Sequence, residues 1–431
     1  MTRNGSAVRV AFVSQPSDLV YPPVQASIPG LTVHLSRELA RLGFDVTVYA
    51  PRKDARLAHA VVDGVRYSYV SERGSGFLNR AVLPLSRLHW SRRLPLHASV
   101  LNELRYTLEV ALRIRFQQAQ IVHVHNFTSF VPVIRAFNPG ARFVLNMHCE
   151  WLSQLDAEVM SHRVAITHLV LGCSHYITDK IRAAFPGRNG GLDTLLNGVD
   201  TGFFTPAADD PVVEGRPYRL LFVGRVSPEK GVHDLVDAFA QLAHQIPDIE
   251  LNIVGPAGAA PREYIVDVSD DDNVRALARF YNTEAESGIG YLEQLRRRLP
   301  PGLETRVNFV GPASRETLRE QYRNADVSIN PSLSESFGIT VAEAMACGTP
   351  VVATRVGGMV DIVRDGETGL LVPPASPEDL AGAIGRMLED APSMRAMGRR
   401  GRERAVSLFS WETVGAQLAS AYESLISDTR V

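Results

Sequence analysis

The sequence is poor in cysteine, in net charge and in long apolar runs, and each shortage excludes a class of protein. The three cysteines, Cys149, Cys173 and Cys347, have no CxxC or Cys/His spacing, so neither a disulfide framework nor a zinc site is indicated. A formal net charge of -2 argues against nucleic-acid binding, which normally needs a basic excess. No segment approaches the ~18 apolar residues of a membrane-spanning helix, and the apolar run at 8–13 is too short for a signal peptide. We therefore expect a cytoplasmic protein without a nucleic-acid partner.

The chain has 431 residues, of which 45% are hydrophobic and 21% charged, as in globular proteins with room for two domains. Apolar runs that predict buried parallel strands alternate with helical or loop lengths in two successive sets. The first set includes the runs at 8–14, 46–50, 120–125, 142–148 and 168–174, and the second begins at 219–226. We predict an α/β fold with two Rossmann-like parallel-sheet domains facing a central cleft.

The predicted domain bounds follow from these runs and from a proline-rich stretch between them. Residues 203–218 hold three prolines and no helical period, which is typical of a linker. The predicted segments are an N-terminal Rossmann-like domain at 1–205, a linker at 206–218, a C-terminal Rossmann-like domain at 219–405 and a last helix at 406–431. In the C-terminal domain we predict a helix over 227–247 with Ser227 as its N-cap and Pro228 at its first position, and caps at Ser314 and Ser376.

Two cations follow the first strand of the second domain. Arg225 comes directly after "LLFVG", and Lys230 falls in the first turn of the predicted helix. A helix N-terminus itself favours anions, so this pattern predicts a diphosphate site. The alternative is that Arg225 pairs with Glu229 at the surface and Lys230 is an ordinary helix residue.

Two acids stand eight positions apart in "SESFGITVAEAMACGTPVVATRVGG" (334–358). Carboxylates repel a diphosphate, so we expect Glu335 and Glu343 to accept hydrogen bonds from hydroxyls of a sugar and of a ribose. The N–H groups after Glu335 are then left for phosphate oxygens. The alternative is an exposed Glu335 and a Glu343 that only favours the helix N-terminus.

Four stretches together resemble the retaining GT-B glycosyltransferases of family four, the group 1 glycosyl transferases. They are the E-x7-E motif from Glu335 to Glu343, "VGRVSPEKG" (223–231), "NGVD" (197–200) and "EAMACGTPVVATRVGG" (343–358). The resemblance implies a GT-B fold in which the last helix crosses back to the N-terminal domain. It also implies transfer of a hexose or N-acetylhexosamine from a nucleotide diphosphate, most often UDP, to an acceptor hydroxyl with retention and without a metal.

The resemblance assigns roles by position. The catalytic residues that it implies are Arg225, Lys230, Glu335 and His125, with the first two neutralising the diphosphate. The donor-binding residues that it implies are Glu343, Ser336, Phe337, Gly338, Ile339, Gly224, Gly30 and Asn197, with Glu343 on the ribose. Gly30 stands alone in a first loop where the family usually has two glycines. His123 and His125 share one face of a strand, and either can instead be an ordinary core residue.

The acceptor candidates are His148, Arg92 and Arg93. The stretch 73–102 holds five arginines and no acid, which fits either an anionic or membrane-borne acceptor with peripheral membrane contact, or a solvated helix face or loop. The run 270–272 of three aspartates is more typical of a solvated loop than of a metal site.

Two other functions stay open at this point. A sugar-nucleotide epimerase or hydrolase of the same fold would need no acceptor, and a non-catalytic glycan- or nucleotide-binding module would lose the charged site residues. The motifs do not specify the base, the sugar, the acceptor or the oligomeric state.

Overall fold

A computed structural model describes residues 7–16, 20, 27–52, 58–71, 98–188, 190–207 and 215–427. The chain divides into two compact units, one of residues 1–197 with 411–431 and one of residues 198–410. Each unit is built on one mainly parallel sheet with helices, which confirms the predicted class of two parallel-sheet α/β domains. Arg92, Arg93 and the basic stretch as far as residue 97 lie outside the described residues, as does part of the predicted linker.

The first unit holds an eight-stranded sheet in the order β3-β4-β2-β1-β5-β6-β7-β8. All neighbouring strands are parallel except β3 and β4, which are antiparallel. Its strands are β1 (Arg9–Val13), β2 (Asp45–Arg52), β3 (His59–Val62), β4 (Val65–Ser71), β5 (Ile121–His125), β6 (Arg142–Met147), β7 (Leu169–Gly172) and β8 (Gly191–Thr194). Its helices before residue 198 are α1 (Ser27–Arg41), α2 (Leu104–Gln117), α3 (Phe130–Phe137), α4 (Trp151–Gln154), α5 (Ala157–Ala165) and α6 (His175–Ala184).

Helix α1 covers the centre of this sheet through a stripe of leucines. Leu31, Leu35 and Leu39 recur at helical spacing and are buried beside β1 and β2. The helix begins at Ser27, so Gly30 lies in its first turn and not in a loop, which corrects the prediction. A Cβ at Gly30 would meet no atom within 4 Å, so the packing there does not require a glycine.

The β3–β4 hairpin at the sheet edge was not predicted. Its two strands are joined by Asp63 and Gly64, whose φ values of 50° and 78° are those of a two-residue hairpin turn. The Asp-Gly pair was the sequence signal for this turn.

The second unit holds a six-stranded parallel sheet in the order β11-β10-β9-β12-β13-β14. Its strands are β9 (Tyr218–Val223), β10 (Ile249–Val254), β11 (Val307–Gly311), β12 (Val327–Asn330), β13 (Val351–Thr354) and β14 (Leu370–Val372). Its helices are α7 (Val232–Gln245), α8 (Arg262–Ile265), α9 (Asp272–Ala276), α10 (Ala278–Ser287), α11 (Tyr291–Arg298), α12 (Arg315–Asn324), α13 (Ile339–Ala346), α14 (Met359–Ile362), α15 (Pro377–Glu389) and α16 (Ala391–Phe409).

The helix predicted over 227–247 is wrong at its start. Pro228–Lys230 form a single 3-10 turn, Gly231 takes a left-handed φ of 64°, and α7 begins only at Val232. Ser227 does not cap a backbone N–H; its hydroxyl instead donates to the Glu229 carboxylate at 2.6 Å. The predicted caps of α12 and α15 are confirmed: Ser314 accepts from Thr317 N and Ser376 from Asp379 N.

The segment between β10 and β11 carries four short helices, and its last part was predicted to be helical. The polar loop predicted at 269–273 is confirmed as far as Asp271, after which α9 begins. Asp271 is the N-cap of α9 and accepts hydrogen bonds from Asn273 N and Val274 N. Asp270 and Asp272 lie 3.4 and 3.2 Å from Arg275, so this acidic run serves to start a helix.

The last helix, α17 (Trp411–Ser427), follows α16 and belongs to the first unit, where it packs on α1. Its Trp411 ring stacks on His34 with 4.7 Å between ring centroids. Gly415 allows the two helices to approach, since a Cβ there would lie 2.7 Å from the Glu38 side chain. In the part of the chain that the structure describes, no helix is long and apolar enough to cross a membrane.

Candidate active site

The turn after β9 holds Arg225 against a buried carboxylate. Arg225 Nη2 lies 2.6 Å from Glu229 Oε1, which also accepts the Ser227 hydroxyl at 2.6 Å. Glu229 is only 2% exposed, whereas the Arg225 side chain is 43% exposed. The alternative pairing of Arg225 with Glu229 therefore exists, but its acid is in the core and not at the surface. A fixed acid under an accessible guanidinium orients that guanidinium outward.

Lys230 joins this turn to the E-x7-E loop. Its Nζ lies 2.7 Å from Glu335 Oε2, and the two side chains are 20% and 16% exposed. The two loops can meet because Gly231 lacks a side chain: a Cβ there would lie 1.9 Å from the Pro331 carbonyl oxygen. Leu333 N also donates to Glu229 O at 2.9 Å. Lys230 is thus not an ordinary helix residue.

The Glu335 loop is held from its other side by the glycine pair that follows β13. Gly357 has a φ of 50°, and a Cβ on it would lie 1.7 Å from the Glu335 carbonyl oxygen. Gly358 N donates to that same oxygen at 3.1 Å. Only glycine fits this approach, which explains the Gly-Gly at 357–358 as a support for Glu335.

The start of α13 supplies backbone donors. Within the described residues, the N–H groups of Gly338 and Ile339 donate to no protein acceptor, as expected at a helix N-terminus. Phe337 is buried and its ring meets Phe409 edge-on, 5.7 Å between centroids, so only its backbone is available to a ligand. Ser336 precedes it in the same loop. These positions suit the phosphate-binding role that the sequence predicts.

Glu343 lies one turn further along α13 and is mostly buried. Tyr322 of α12 donates its hydroxyl to Glu343 Oε2 at 2.9 Å. Burial raises the pKa of Glu343 to about 7, although the Tyr322 bond and the charge of Arg315 act in the opposite direction. Sequence reasoning missed Tyr322, because nothing in the spacing of the chain links it to Glu343.

Glu343→Gln should stabilise the protein at pH 8 and leave its stability unchanged near pH 4.5. The folded protein binds a proton at Glu343 up to about pH 7, whereas the ordinary carboxyl loses it near 4.5, so stability falls as pH rises between those values and is then constant. One pKa unit corresponds to ~1.4 kcal/mol; allowing for the exposed part of the side chain, we expect a gain of ~1–2 kcal/mol. Thermal unfolding from pH 4.5 to 8 measures it.

Glu389→Gln is the matched control, because Glu389 is exposed at the end of α15. Its unfolding curve should follow that of the unaltered protein at every pH. A constant difference between Glu343→Gln and the unaltered protein across this pH range would contradict the burial of an ionisable carboxyl.

The first unit brings two of the predicted histidines together. His125 ends β5 and His148 follows β6, and His125 Nδ1 lies 2.9 Å from His148 Nε2. His125 is fully buried, and its Nε2 has no partner among the described residues; the same holds for His148 Nδ1. Asn126 Oδ1 accepts His148 N at 2.7 Å, and Asn197 lies beside the His148 ring.

These histidines are neutral near pH 7. Burial lowers the pKa of His148 to about 4, and burial with the two neighbouring histidines holds the pKa of His125 well below its ordinary value. Their rings therefore carry no positive charge near pH 7.

His123 is a core residue, as the alternative interpretation holds. Its Nδ1 lies 2.6 Å from the Tyr422 hydroxyl of α17, and its ring stacks on Phe12 at 4.7 Å. Burial lowers its pKa to about 3. This histidine fastens the last helix to β5. Gly224, another predicted donor residue, ends β9 and donates to Val254 O at 2.9 Å.

Among the described residues, no three His, Cys, Asp or Glu side chains gather as a metal site would require. After the strands of the second unit lie two cations, Arg225 and Lys230, two carboxylates, Glu335 and Glu343, and the N–H groups at the start of α13. Such a set can hold a diphosphate and hydroxyl groups together.

Comparison with known proteins adds the family. A family model described as "Glycosyl transferases group 1" matches residues 207–404, and one described as "Glycosyltransferase Family 4" matches residues 31–203. D-inositol 3-phosphate glycosyltransferase 2 from Catenulispora acidiphila is 29% identical over 98% of this chain and 96% of its own. Glycogen synthase from Mycobacterium tuberculosis is 28% identical over 93% of this chain and 92% of its own.

Solved structures show the same architecture. HepE from Anabaena, in complex with UDP and glucose, covers 97% of this chain and 100% of its own with a TM-score of 0.67. Its sequence identity of 18% makes this a likeness of fold alone.

Two parallel-sheet α/β domains are the architecture of the GT-B glycosyltransferases. The chain belongs to this class, in the group 1 family of enzymes that act on nucleotide sugars. Such enzymes bind a nucleotide sugar and an acceptor.

Proposed function

We propose that the protein moves a hexose or N-acetylhexosamine from a UDP-sugar to an acceptor hydroxyl with retention of configuration and without a metal. The observation that carries the proposal is the pair of Lys230 and Glu335, 2.7 Å apart, beside the unpaired N–H groups of α13. This arrangement offers a cation for phosphate next to an acceptor of hydroxyl protons. The complexes of HepE with UDP and glucose support UDP as the first nucleotide to test.

The cations suit a leaving diphosphate. In the transfer, the bond between the anomeric carbon and the phosphate oxygen breaks, a bond from the acceptor oxygen to that carbon forms, and the acceptor proton passes to the departing phosphate. Lys230 and Arg225 stabilise the negative charge that grows on the diphosphate, and the N–H groups of Gly338 and Ile339 add fixed dipoles. An acceptor that enters on the face of the leaving group gives retention.

The carboxylates suit the two polyols of the donor. Glu343 accepts hydrogen bonds from the ribose hydroxyls, and Glu335 accepts them from the transferred sugar. His125 is neutral, so it adds no charge, and it stays a catalytic candidate by the family resemblance. His148 acts beside it on the acceptor side of the reaction.

For the acceptor we propose a hydroxyl of a polyol or glycoside. The relative named for D-inositol 3-phosphate makes a phosphorylated polyol the first compound to test. Arg92 and Arg93 stay acceptor candidates by sequence.

The proposal is tested in two stages. Calorimetry with UDP, GDP and ADP identifies the nucleotide, and proton NMR of the product from the matching α-linked sugar nucleotide identifies the anomer. An α-glycoside that forms only with acceptor supports the proposal. A β-glycoside overturns retention, and epimerised or free sugar without an acceptor supports the epimerase or hydrolase alternative.

Activity should survive exhaustive treatment with EDTA, because charge neutralisation is supplied by Lys230 and Arg225. Turnover before and after dialysis against the chelator, with sugar nucleotide and acceptor fixed, measures this. We expect no more than about a twofold change, compared with the complete loss typical of enzymes whose metal supplies this charge. Complete loss that Mg²⁺ or Mn²⁺ restores would contradict the metal-free mechanism.

A further inference from the structure

Helix α7, which follows the Lys230 turn, begins without a side-chain cap of its own. Its N-cap is Gly231, and serine or aspartate cannot replace it because a Cβ would lie 1.9 Å from Pro331 O. The first N–H groups of a helix need acceptors, and the N-cap side chain is their usual source. The close approach of the two site loops therefore leaves the start of α7 dependent on another element.

Tyr291, the first residue of α11, supplies that acceptor. Its hydroxyl oxygen accepts the N–H of His233, the second residue of α7, at 3.1 Å. Tyr291 is 5% exposed, and its ring meets Phe280 edge-on at 5.2 Å. The hydroxyl is thus held in place by packing.

The hydrogen-bond pattern around this hydroxyl is complete. Tyr291 Oη also lies 2.8 Å from His233 Nδ1, and His233 Nε2 lies 3.5 Å from Asp234 Oδ1. Burial lowers the pKa of His233 to about 3, so the ring is neutral. With the His233 proton on Nε2, its Nδ1 accepts the tyrosine O–H. The hydroxyl consequently accepts one bond and donates another.

The geometry points to Tyr291 as a positioning residue for Lys230. Its hydroxyl fixes the first turn of α7, and that turn is joined through Gly231 to the 3-10 turn that presents the ammonium to Glu335. The helical segment between β10 and β11 thereby supports the diphosphate site through the Tyr291 hydroxyl. This inference rests on the proposed diphosphate role of Lys230.

Tyr291→Phe keeps the ring and removes only the hydroxyl. Amide hydrogen exchange over residues 228–235 should become about tenfold faster, because the His233 N–H loses its acceptor. The affinity for UDP, measured by calorimetry, should fall about five- to tenfold, and the same change made in a Lys230→Ala background should alter it less than about twofold. If the effects of the two substitutions on UDP affinity do not add, the Tyr291 hydroxyl acts through Lys230.

Asp237→Asn is the matched control. Asp237 of α7 pairs with Arg298 of α11 at 2.5 and 2.6 Å, so this change loosens the same two helices further from the site. It should leave both the exchange over 228–235 and the UDP affinity within about twofold. If Tyr291→Phe alone does not fold, H233L combined with Y291F removes the unpaired ring nitrogen and still leaves the N–H of residue 233 without its acceptor.

Three results would overturn the inference: unchanged exchange in Tyr291→Phe, an equal rise in Asp237→Asn, or an equal loss of UDP affinity with and without Lys230. Faster exchange in Tyr291→Phe alone, found together with no UDP binding by the unaltered protein, would support the positioning role while contradicting the proposed donor.

Discussion

Lys230→Ala should lower turnover by about 10²- to 10³-fold, the range found when one preorganised electrostatic contact is removed from a transition state. The Lys230 side chain is 20% exposed, and its ammonium lies 2.7 Å from Glu335. Because negative charge on the diphosphate grows as the glycosidic bond breaks, the loss should fall on kcat more than on KM. Steady-state kinetics with the sugar nucleotide, alongside circular dichroism to confirm folding, measures it.

Arg216→Ala is the control, because it also removes the cation of an ion pair, but at the opposite, N-terminal ends of the same two strands. Arg216 and Asp326 precede β9 and β12 and pair at 2.7 and 2.8 Å, whereas Lys230 and Glu335 follow those strands. Arg216→Ala should lower thermal stability and leave kcat within about twofold. Equal losses of kcat in both variants would mean that Lys230 matters only for the stability of the unit.

The course of the two sheets was predictable because strands that are buried on both sides are near-continuous apolar runs. β1, β5 and β9 are each such a run. The β3–β4 hairpin was missed because β3 lies at the sheet edge, where burial alternates and the pattern is weaker.

The site residues were predictable as motifs, but their partners were not. Lys230 and Glu335 meet because β9 and β12 are neighbours in the sheet, and strand order is a property of the whole fold. The 3-10 turn at Pro228–Lys230 depends on the contact of Gly231 with Pro331, which local propensity does not contain. A capping serine followed by proline therefore predicts a longer helix than the packing allows.

Side-chain contacts between residues far apart in the chain were the hardest feature to predict from the sequence. Tyr422 lies 299 positions from His123, and Tyr322 reaches Glu343 from a different helix. A single tyrosine on the apolar face of an amphipathic helix is predicted to be a core residue. The sequence does not show which polar group its buried hydroxyl bonds.

Glu335→Gln should bind UDP more tightly than the unaltered protein, although its turnover should fall by about 10²-fold. Lys230 is paired with Glu335, so a diphosphate competes with the carboxylate for the ammonium. The hydroxyls of a bound sugar then satisfy Glu335, but UDP alone leaves it unpaired next to negative phosphate. Removing the charge should tighten UDP binding by about fivefold, or ~1 kcal/mol. Calorimetry with UDP and kinetics with the UDP-sugar give the two values.

The change in UDP affinity of Glu335→Gln has opposite signs in two models of Glu335. In one model the carboxylate competes with phosphate for Lys230, and in the other it holds Lys230 in place for the phosphate. If Glu335 mainly holds Lys230 in place for the phosphate, Glu335→Gln weakens UDP binding together with turnover. If the carboxylate competes with phosphate, as the short and partly buried ion pair indicates, affinity for UDP rises while the affinity for the UDP-sugar does not. Asp326→Asn, which removes the acid of the Arg216 pair, should change neither affinity. Weaker UDP binding by Glu335→Gln would assign the carboxylate to holding the lysine and not to the sugar.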